Sequence, residues 1–444
     1  MRLPAGKAGE LRRQHPGRIR FLSNGSIEFP MRIALFLESP PDTGGGFVQA
    51  LSTVESLLRL REKQHEVVVF TPLERTRKRL LDHGIESVVF KRRGLRLLDR
   101  WSSTVVGCAI LRRLRRLGFR RLGRHLDALL DDYAIDLVVF PACAEAALRI
   151  SDHHYVVTHW DTDHRDYLEF PEKYADRNFE RIEESYRTTL IRALAVIALS
   201  PSAARRIADL YHVDPDRIVI LPLLPSLAVR RHAAGGGPAT ADMVRRKYEL
   251  PEQYLFYPAY FSYHKNHLYI LDGLIELERR HGIVMHAVFC GGGDPGDRTM
   301  IDRQTQALGL TSRVRFLGVV PDEDIPPLYE AALCLVMPTY CGPTNLPPLE
   351  AVTLGCPVIY SDLPGWREHM GDAALYCDLA DPASLAGLVA SLIQDPELVD
   401  RLRKSGKVLA EDIAQVDYAK LLSPVLEKYA YMRRRWAWPE ETQK

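Results

Sequence analysis

The chain has 444 residues, 46% of them hydrophobic and 26% charged. That balance excludes a disordered chain, a collagen-like repeat and a disulfide-stapled miniprotein. Lys and Arg number 59 against 57 Asp and Glu, for a net charge of +2, so a uniformly basic nucleic-acid binder is not indicated. The length suits two or three domains with a large core.

The first thirty residues are basic and lack the apolar stretch of a secretory signal. We expect residues 1–30 to be a disordered extension, because Met31 stands directly before a strong strand pattern and would serve as an alternative start. No apolar run reaches the roughly 18 residues that a membrane-spanning helix needs. The seven cysteines are odd in number, show no CxxC spacing and sit mostly in apolar runs. They read as reduced core residues of a cytosolic protein, with neither a zinc site nor a disulfide frame.

From Met31 onward, strand and helix patterns alternate. Apolar runs at 32–37, 66–70, 136–140, 155–158 and 195–199 are continuous rather than alternating, as for parallel strands covered on both faces. Helical patterns lie between them, for example over 47–61 and 201–211, the latter with Ser200 as N-cap and Pro201 at the first helical position. A Pro, Gly and Ala-rich stretch within 223–250 reads as a linker. The alternation restarts with strands at 255–257, 286–290, 314–316, 333–336 and 357–360. The expected organisation is α/β: two Rossmann-like doubly wound domains facing a cleft, spanning 31–222 and 251–412. Residues 413–444 should form a last helix that packs back on the first domain.

Ligands of open α/β sheets bind at the carboxyl ends of the strands. In the first domain Gly44, Gly45 and Gly46 follow the first strand and lead into a helix, where glycines permit close backbone approach to an anion. A flexible turn is the plainer reading of those glycines. His159 stands at a strand's carboxyl end, although a satisfied structural histidine is equally common there. A zinc site from His153, His154, His159 and His164 would lack a helical HxxxH or a Cys partner.

In the second domain Lys265 falls just past a strand end, where a cation beside helix N–H groups suits a diphosphate. The Gly, Pro and Asn-rich loop after the strand ending near Met337 leads into a helix near Pro347. Its N–H groups suit phosphate, and Glu350 in the first turn could accept hydrogen bonds from ribose hydroxyls. A surface lysine and a capping glutamate are the plainer alternatives.

Taken in order, Tyr257-Pro258-Ala259, His264-Lys265-Asn266-His267, Phe316-Leu317-Gly318, the stretch GPTNLPPLEA at 342–351, Gly355-Cys356-Pro357-Val358-Ile359, Glu368 and Gly371-Asp372-Ala373-Ala374 resemble family 4 of the glycosyltransferases, whose two-Rossmann architecture is called GT-B. The resemblance is strong over residues 255–381 and weaker over the first domain. It implies transfer of a hexose, with mannose a candidate, from a nucleotide-diphospho-sugar to a polysaccharide or lipid-linked glycan. Anomeric configuration would be retained, with no cofactor and no bound metal. It implies donor contacts from Gly45, Gly46, Lys265, Asn266, Thr344, Asn345, Leu346 and Glu350, with His159 and Lys265 as the catalytic groups. The segment with Asp161 and His164, followed by Phe170-Pro171-Glu172, resembles one that faces the sugar or the acceptor. Two positions depart from the pattern: Gly342 stands where the first of two glutamates is common, and Tyr260 where an Arg or Lys is usual.

Residues 91–124 hold twelve basic side chains against one acid, Asp99, interleaved with Leu, Trp and Phe. This suits an anionic membrane surface where a lipid-linked acceptor would be found, and hence a cytoplasmic protein peripheral to the inner face of the cell membrane. A solvated basic face is the plain alternative, and no nucleic-acid recognition motif accompanies it. Two competing readings share the architecture: a nucleotide-sugar epimerase, which needs paired acid/base carboxylates, and an inactive membrane-associated scaffold.

Overall fold

The continuously apolar runs do become parallel strands. The structure is a computed structural model that describes residues 30–41, 44–90, 110, 113, 125–293, 295–342, 345–363 and 365–436. Expectations for residues 1–29, and for 91–124 apart from Ile110 and Arg113, lie outside the described residues.

The first sheet contains β1 (Arg32–Phe36), β2 (Glu66–Thr71), β3 (Val88–Val89), β4 (Leu137–Phe140), β5 (His154–His159), β6 (Ala195–Ala198) and β7 (Ile218–Ile220), in the spatial order β3-β2-β1-β4-β5-β6-β7. The second contains β8 (Tyr254–Pro258), β9 (His286–Cys290), β10 (Val314–Gly318), β11 (Cys334–Met337), β12 (Val358–Ser361) and β13 (Leu375–Cys377), in the order β10-β9-β8-β11-β12-β13. The strand pairs are parallel in both sheets. The two orders repeat one topology, with reversal points between β1 and β4 and between β8 and β11.

Strand residues point alternately to the two faces. In β1, Ile33 and Leu35 bury into one core layer, and Ala34 and Phe36 into the other. Both faces are covered, so no position of the strand can be polar without losing its water. That is the physical origin of the unbroken apolar runs.

Three strands had no counterpart in the sequence reading: β3, β7 and β13. Each sits at a sheet edge, has two or three residues, and is largely half-buried. Short edge strands carry too little pattern to detect. The 223–250 stretch is more ordered than a Pro and Gly-rich linker suggests. It folds into helices at Leu227–Arg231 and Ala241–Lys247, whose N-caps Ser226 and Thr240 accept from Val229 N and Met243 N at 3.4 Å each.

The last helix, Tyr418–Trp436, falls within the expected 413–444 stretch. It lies on the first lobe: the Tyr429 hydroxyl donates to Asp136 O at 3.0 Å and meets His154 Nδ1 at 3.1 Å, and Arg433 pairs with Asp136. Among the described residues no helix is long and apolar enough to cross a membrane.

Candidate active site

Loops that follow strand carboxyl ends of the two lobes meet, with His264 and Lys265 of the second facing Glu172 and Asp163 of the first. In the second lobe the loops after β8 and β11 leave the sheet on either side of its reversal point. They are tied together by Tyr340 N and Thr339 Oγ1, which donate to His264 O at 2.9 and 3.1 Å. Ser361 Oγ donates to Thr339 O at 2.7 Å and fixes the second loop to β12.

Lys265 ends a short 3-10 turn, Tyr263–Lys265, and the following helix starts at His267. Asn266 between them adopts the left-handed conformation at φ 56°, and its Nδ2 is buried without a partner. The buried Tyr257 hydroxyl donates to Lys265 O at 2.9 Å, a bond worth about 1 kcal/mol net, and so fixes the residue's backbone. His267 is buried against Tyr257, Phe261 and Phe289, its pKa lowered to about 3 by burial.

Lys265 Nζ meets Asn345 Oδ1 at 3.5 Å. Asn345 is the N-cap residue of the helix Leu346–Thr353, and its Nδ2 is spent on Gly342 O and the Tyr360 hydroxyl, both at 2.7 Å. The ammonium is therefore held at the positive end of a helix. Burial pulls its pKa below the ordinary lysine value, opposed by Asp163. Thr344, the neighbouring donor-site candidate, lies outside the described residues.

Glu350, in the second turn of that helix, is buried, and each of its carboxylate oxygens already has a partner. Oε1 accepts from Ser226 N at 3.3 Å, and Oε2 accepts from the Tyr329 hydroxyl at 3.0 Å. Burial raises its pKa. Glu350 and Lys265 are thus linked through one short helix, without direct contact between their charges. Tyr260 is 45% exposed.

In the first lobe Gly44, at φ 61°, caps the helix Gly45–Leu57. A side chain at Gly46 would meet the Trp160 ring at 3.2 Å, so glycine there lets the helix start lie against the residue that follows β5. His159 itself is 1% exposed, packed 4.5 Å from the Tyr186 ring and 5.9 Å from Tyr211, and neither ring nitrogen has a partner. Burial lowers its pKa to about 4, so the imidazole is neutral.

His164 and Asp161 have different hydrogen-bond partners. His164 packs within the first lobe, where its Nε2 lies 3.0 Å from Glu183 Oε2. Glu183 also takes Arg165 and Arg187 and accepts from the Tyr211 hydroxyl at 3.1 Å. Asp161 stays half-buried at the rim and accepts from Asp163 N at 3.1 Å. The four histidines weighed for zinc are dispersed: His153 on Asp127 and Asp131, His154 on Tyr429, His159 among tyrosines, and His164 on Glu183.

Sequence reasoning missed a cross-cleft cluster. Asp163 is 7% exposed and faces the Gly342 backbone N–H and Lys265. Burial, reinforced by Asp161, drives its pKa well above the ordinary carboxylate range. Lys173 Nζ lies 3.8 Å from Asp163 Oδ2. Burial pulls the Lys173 pKa down, but the acids Asp163, Asp161 and Glu172 outweigh it and hold it above the ordinary lysine value. Beside it, Glu172 Oε1 accepts from His264 N at 3.1 Å and from His264 Nδ1 at 2.6 Å, and Phe170 lies 5.5 Å from the Tyr340 ring. The only sequence signal was the position of Phe170-Pro171-Glu172 shortly after a strand end.

Known proteins match this arrangement along most of its length. The sequence profile described as "Glycosyltransferase Family 4" matches residues 44–223, and that described as "Glycosyl transferases group 1" matches residues 242–408. The O-antigen chain mannosyltransferase B of Escherichia coli is 29% identical over 230 residues, 51% of this chain and 58% of that protein. The D-inositol 3-phosphate glycosyltransferase of Salinispora tropica is 30% identical over 212 residues, 45% of this chain and 44% of that protein. The chain thus spans about half the length of these curated relatives. Anabaena HepE, solved with UDP-glucose, superposes with a TM-score of 0.65 at 16% identity, over 90% of this chain and 100% of that one. WaaG, a glycosyltransferase involved in lipopolysaccharide biosynthesis, gives 0.59 at 16% identity, over 90% and 99%. At such identities the likeness is one of fold. With its two lobes matched in chain order, the chain belongs to family 4 of the glycosyltransferases and has their two-lobed GT-B architecture.

Proposed function

We propose that the protein transfers a hexose, with mannose the leading candidate, from a nucleotide-diphospho-sugar to a polysaccharide or lipid-linked glycan. The observation that carries this reading is the 3.5 Å approach of the Lys265 ammonium to Asn345, at the N-terminus of the helix Leu346–Thr353. A cation, a helix start and strand carboxyl ends converge where a diphosphate would lie. The mannosyltransferase relative supports the sugar, and the UDP-glucose complex of HepE supports the donor class.

In this reading Lys265, the Asn345 and Leu346 N–H groups and the Gly45–Gly46 helix start take the charge that develops on the leaving diphosphate. Asn266 Nδ2, unpartnered, is free for the same ligand. Glu350 uses two of its roughly four lone-pair positions on Ser226 and Tyr329 and has the others for ribose hydroxyls. His159 is neutral with both ring nitrogens open, which suits a saccharide hydroxyl. The C1–O bond to the diphosphate breaks, the acceptor oxygen bonds C1 from the same face, and its proton passes to the leaving phosphate oxygen, so configuration is retained. The reading assigns the phosphate charge to side chains and N–H groups rather than to a resident metal. Asp161 is assigned to the sugar or acceptor side. Residues 91–124 are proposed to dock at an anionic membrane surface from the cytoplasm; flotation with anionic but not neutral liposomes tests this, and equal recovery with both opposes it.

The central experiment is a thermal-shift screen against GDP-mannose, UDP-glucose, UDP-GlcNAc and dTDP-rhamnose, followed by transfer assays with the donor that stabilises the protein. A shift that Lys265→Ala abolishes supports the reading. No shift with any of the four, or an undiminished one in the variant, overturns it.

A further inference from the structure

We infer that Lys173, contributed by the first lobe, is a second cationic ligand of the donor diphosphate, so that the phosphate site is complete only when the two lobes are together. This rests on the nucleotide-sugar reading above and adds a residue to it.

The argument begins with a shortage of positive charge in the second lobe. The helix Leu346–Thr353 opens Leu346-Pro347-Pro348. Proline has no backbone N–H, so two of the first-turn donors that would normally face an anion are missing. Among the described residues at that helix start, what remains is the Asn345 and Leu346 N–H groups and one ammonium, that of Lys265. Each phosphate of a pyrophosphate diester carries a negative charge, and one lysine cannot neutralise both. The nearby acids make this worse: Asp163 and Asp161 both act on the Lys265 ammonium and would repel a diphosphate placed beside it.

Lys173 answers that shortage. It sits on the short helix Pro171–Tyr174, and its side chain is only 14% exposed. The ammonium is not turned out to solvent, as an unused surface lysine would be. It is held inward by Asp163 at 3.8 Å, and the Glu172–His264 contact joins the residue directly before Lys173 to the residue directly before Lys265, which brings the two lysines together across the lobes. Two like charges brought together at the seam of two lobes, beside a helix start, form an anion site in waiting. The contact of Lys173 with Asp163 is long for an ion pair, so an incoming phosphate can take the ammonium without breaking a strong bond. The neighbouring Glu172–His264 contact holds the Lys173 segment against the second lobe. Lys173 therefore reports closure: with the lobes apart, Lys265 would stand alone.

The test measures binding of UDP, GDP, ADP and dTDP, and of the corresponding nucleosides, by calorimetry. The proteins are the wild type, Lys173→Gln, Lys173→Arg and the double variant Asp163→Asn/Lys173→Gln. For the diphosphate that the wild type binds, Lys173→Gln should lose about tenfold or more in affinity, as for loss of a charge-assisted contact. Lys173→Arg should keep most of the affinity, and binding of the nucleoside should change less than twofold. The double variant separates a phosphate ligand from a residue that merely neutralises Asp163. If it stays weak, Lys173 contacts phosphate; if it recovers wild-type affinity, the inference is overturned. Unchanged diphosphate affinity in Lys173→Gln, with Lys265→Gln impaired, also overturns it and leaves the function standing. A wild type that binds none of the four diphosphates overturns the function and this inference together.

Discussion

Glu172 of the first lobe and His264 of the second form a two-point contact across the cleft, in which one carboxylate oxygen accepts both the backbone N–H and the ring Nδ1–H of the histidine. Burial, helped by Lys265 and Lys173, lowers the His264 pKa to about 4, and its hydrogen bonds hold Glu172 at about 2 against burial. The pair is therefore a neutral imidazole donating to a carboxylate. His264 is the residue directly before Lys265, so the contact sets where the ammonium stands relative to the first lobe.

Removing that contact should loosen donor binding. Glu172→Ala leaves the His264 N–H and ring without their acceptor, and a lost charge-assisted bond costs about 1–3 kcal/mol. We expect the donor KM to rise about tenfold, with a smaller change in kcat and a melting temperature lower by about a few degrees. Steady-state kinetics with the identified donor decide this; an unchanged KM would mean that the contact does not set the donor geometry.

Lys265 and Asn345 should act as a unit. Lys265→Ala removes the ammonium and should lower kcat/KM by at least two orders of magnitude. Asn345→Ala removes the side chain that joins the Lys265 ammonium, Gly342 O and the Tyr360 hydroxyl, and should cost about tenfold. Because they share one phosphate, the double variant should be little worse than Lys265→Ala alone. Full additivity in the kinetic cycle would show that they serve different parts of the substrate.

Much of this arrangement was legible locally. The core strands were readable because both sheet faces are buried, and Lys265 and Asn345 because each follows a central strand end at a helix start. The cross-cleft cluster was not. Glu172 and His264 are 92 positions apart, and no periodicity or spacing couples a loop of one domain to a loop of the other. Asp163 reads locally as one more rim acid, and only burial opposite Lys265 distinguishes it. His164 shows the converse error of proximity. It lies five residues from His159, within the segment that resembles a sugar-facing one, yet Glu183 on the helix Asn178–Arg192 draws its ring into the lobe.

His159 makes stability depend on pH in a definite direction. Its folded pKa of about 4 lies below the ordinary histidine value of 6.5. Above pH 6.5 neither the folded nor the unfolded chain protonates it. Below that, the unfolded chain takes up a proton that the folded one refuses, so stability falls by about 1.4 kcal/mol per pH unit until about pH 4. By pH 5 this one residue accounts for a loss of about 2 kcal/mol. His159→Phe keeps a ring against Tyr186 and cannot titrate. Urea unfolding of both proteins at pH 7 and pH 5 isolates the effect, since His264 and His267 titrate equally in each. The variant should lose about 2 kcal/mol less than the wild type; equal losses would place the His159 ring in contact with water.

A last prediction separates the scaffold from the site. The helices His267–His281 and Pro382–Gln394 pack closely in the second lobe, and a side chain at Gly273 would meet Leu385 Cδ2 at 2.5 Å. Leu385 is fully buried and cannot swing away. Gly273→Ala should therefore destabilise the lobe by about 1–3 kcal/mol through overpacking, although alanine is the better helix former. The start of the first helix, beside Lys265, is tied by Tyr257 and Asn266 rather than by Gly273. Donor affinity at a temperature well below melting should then stay within twofold of the wild type. A stability loss without an affinity loss would mark the helix pair as support for the second sheet alone, whereas a joint loss would mean that the Lys265 turn moves with the helix it precedes.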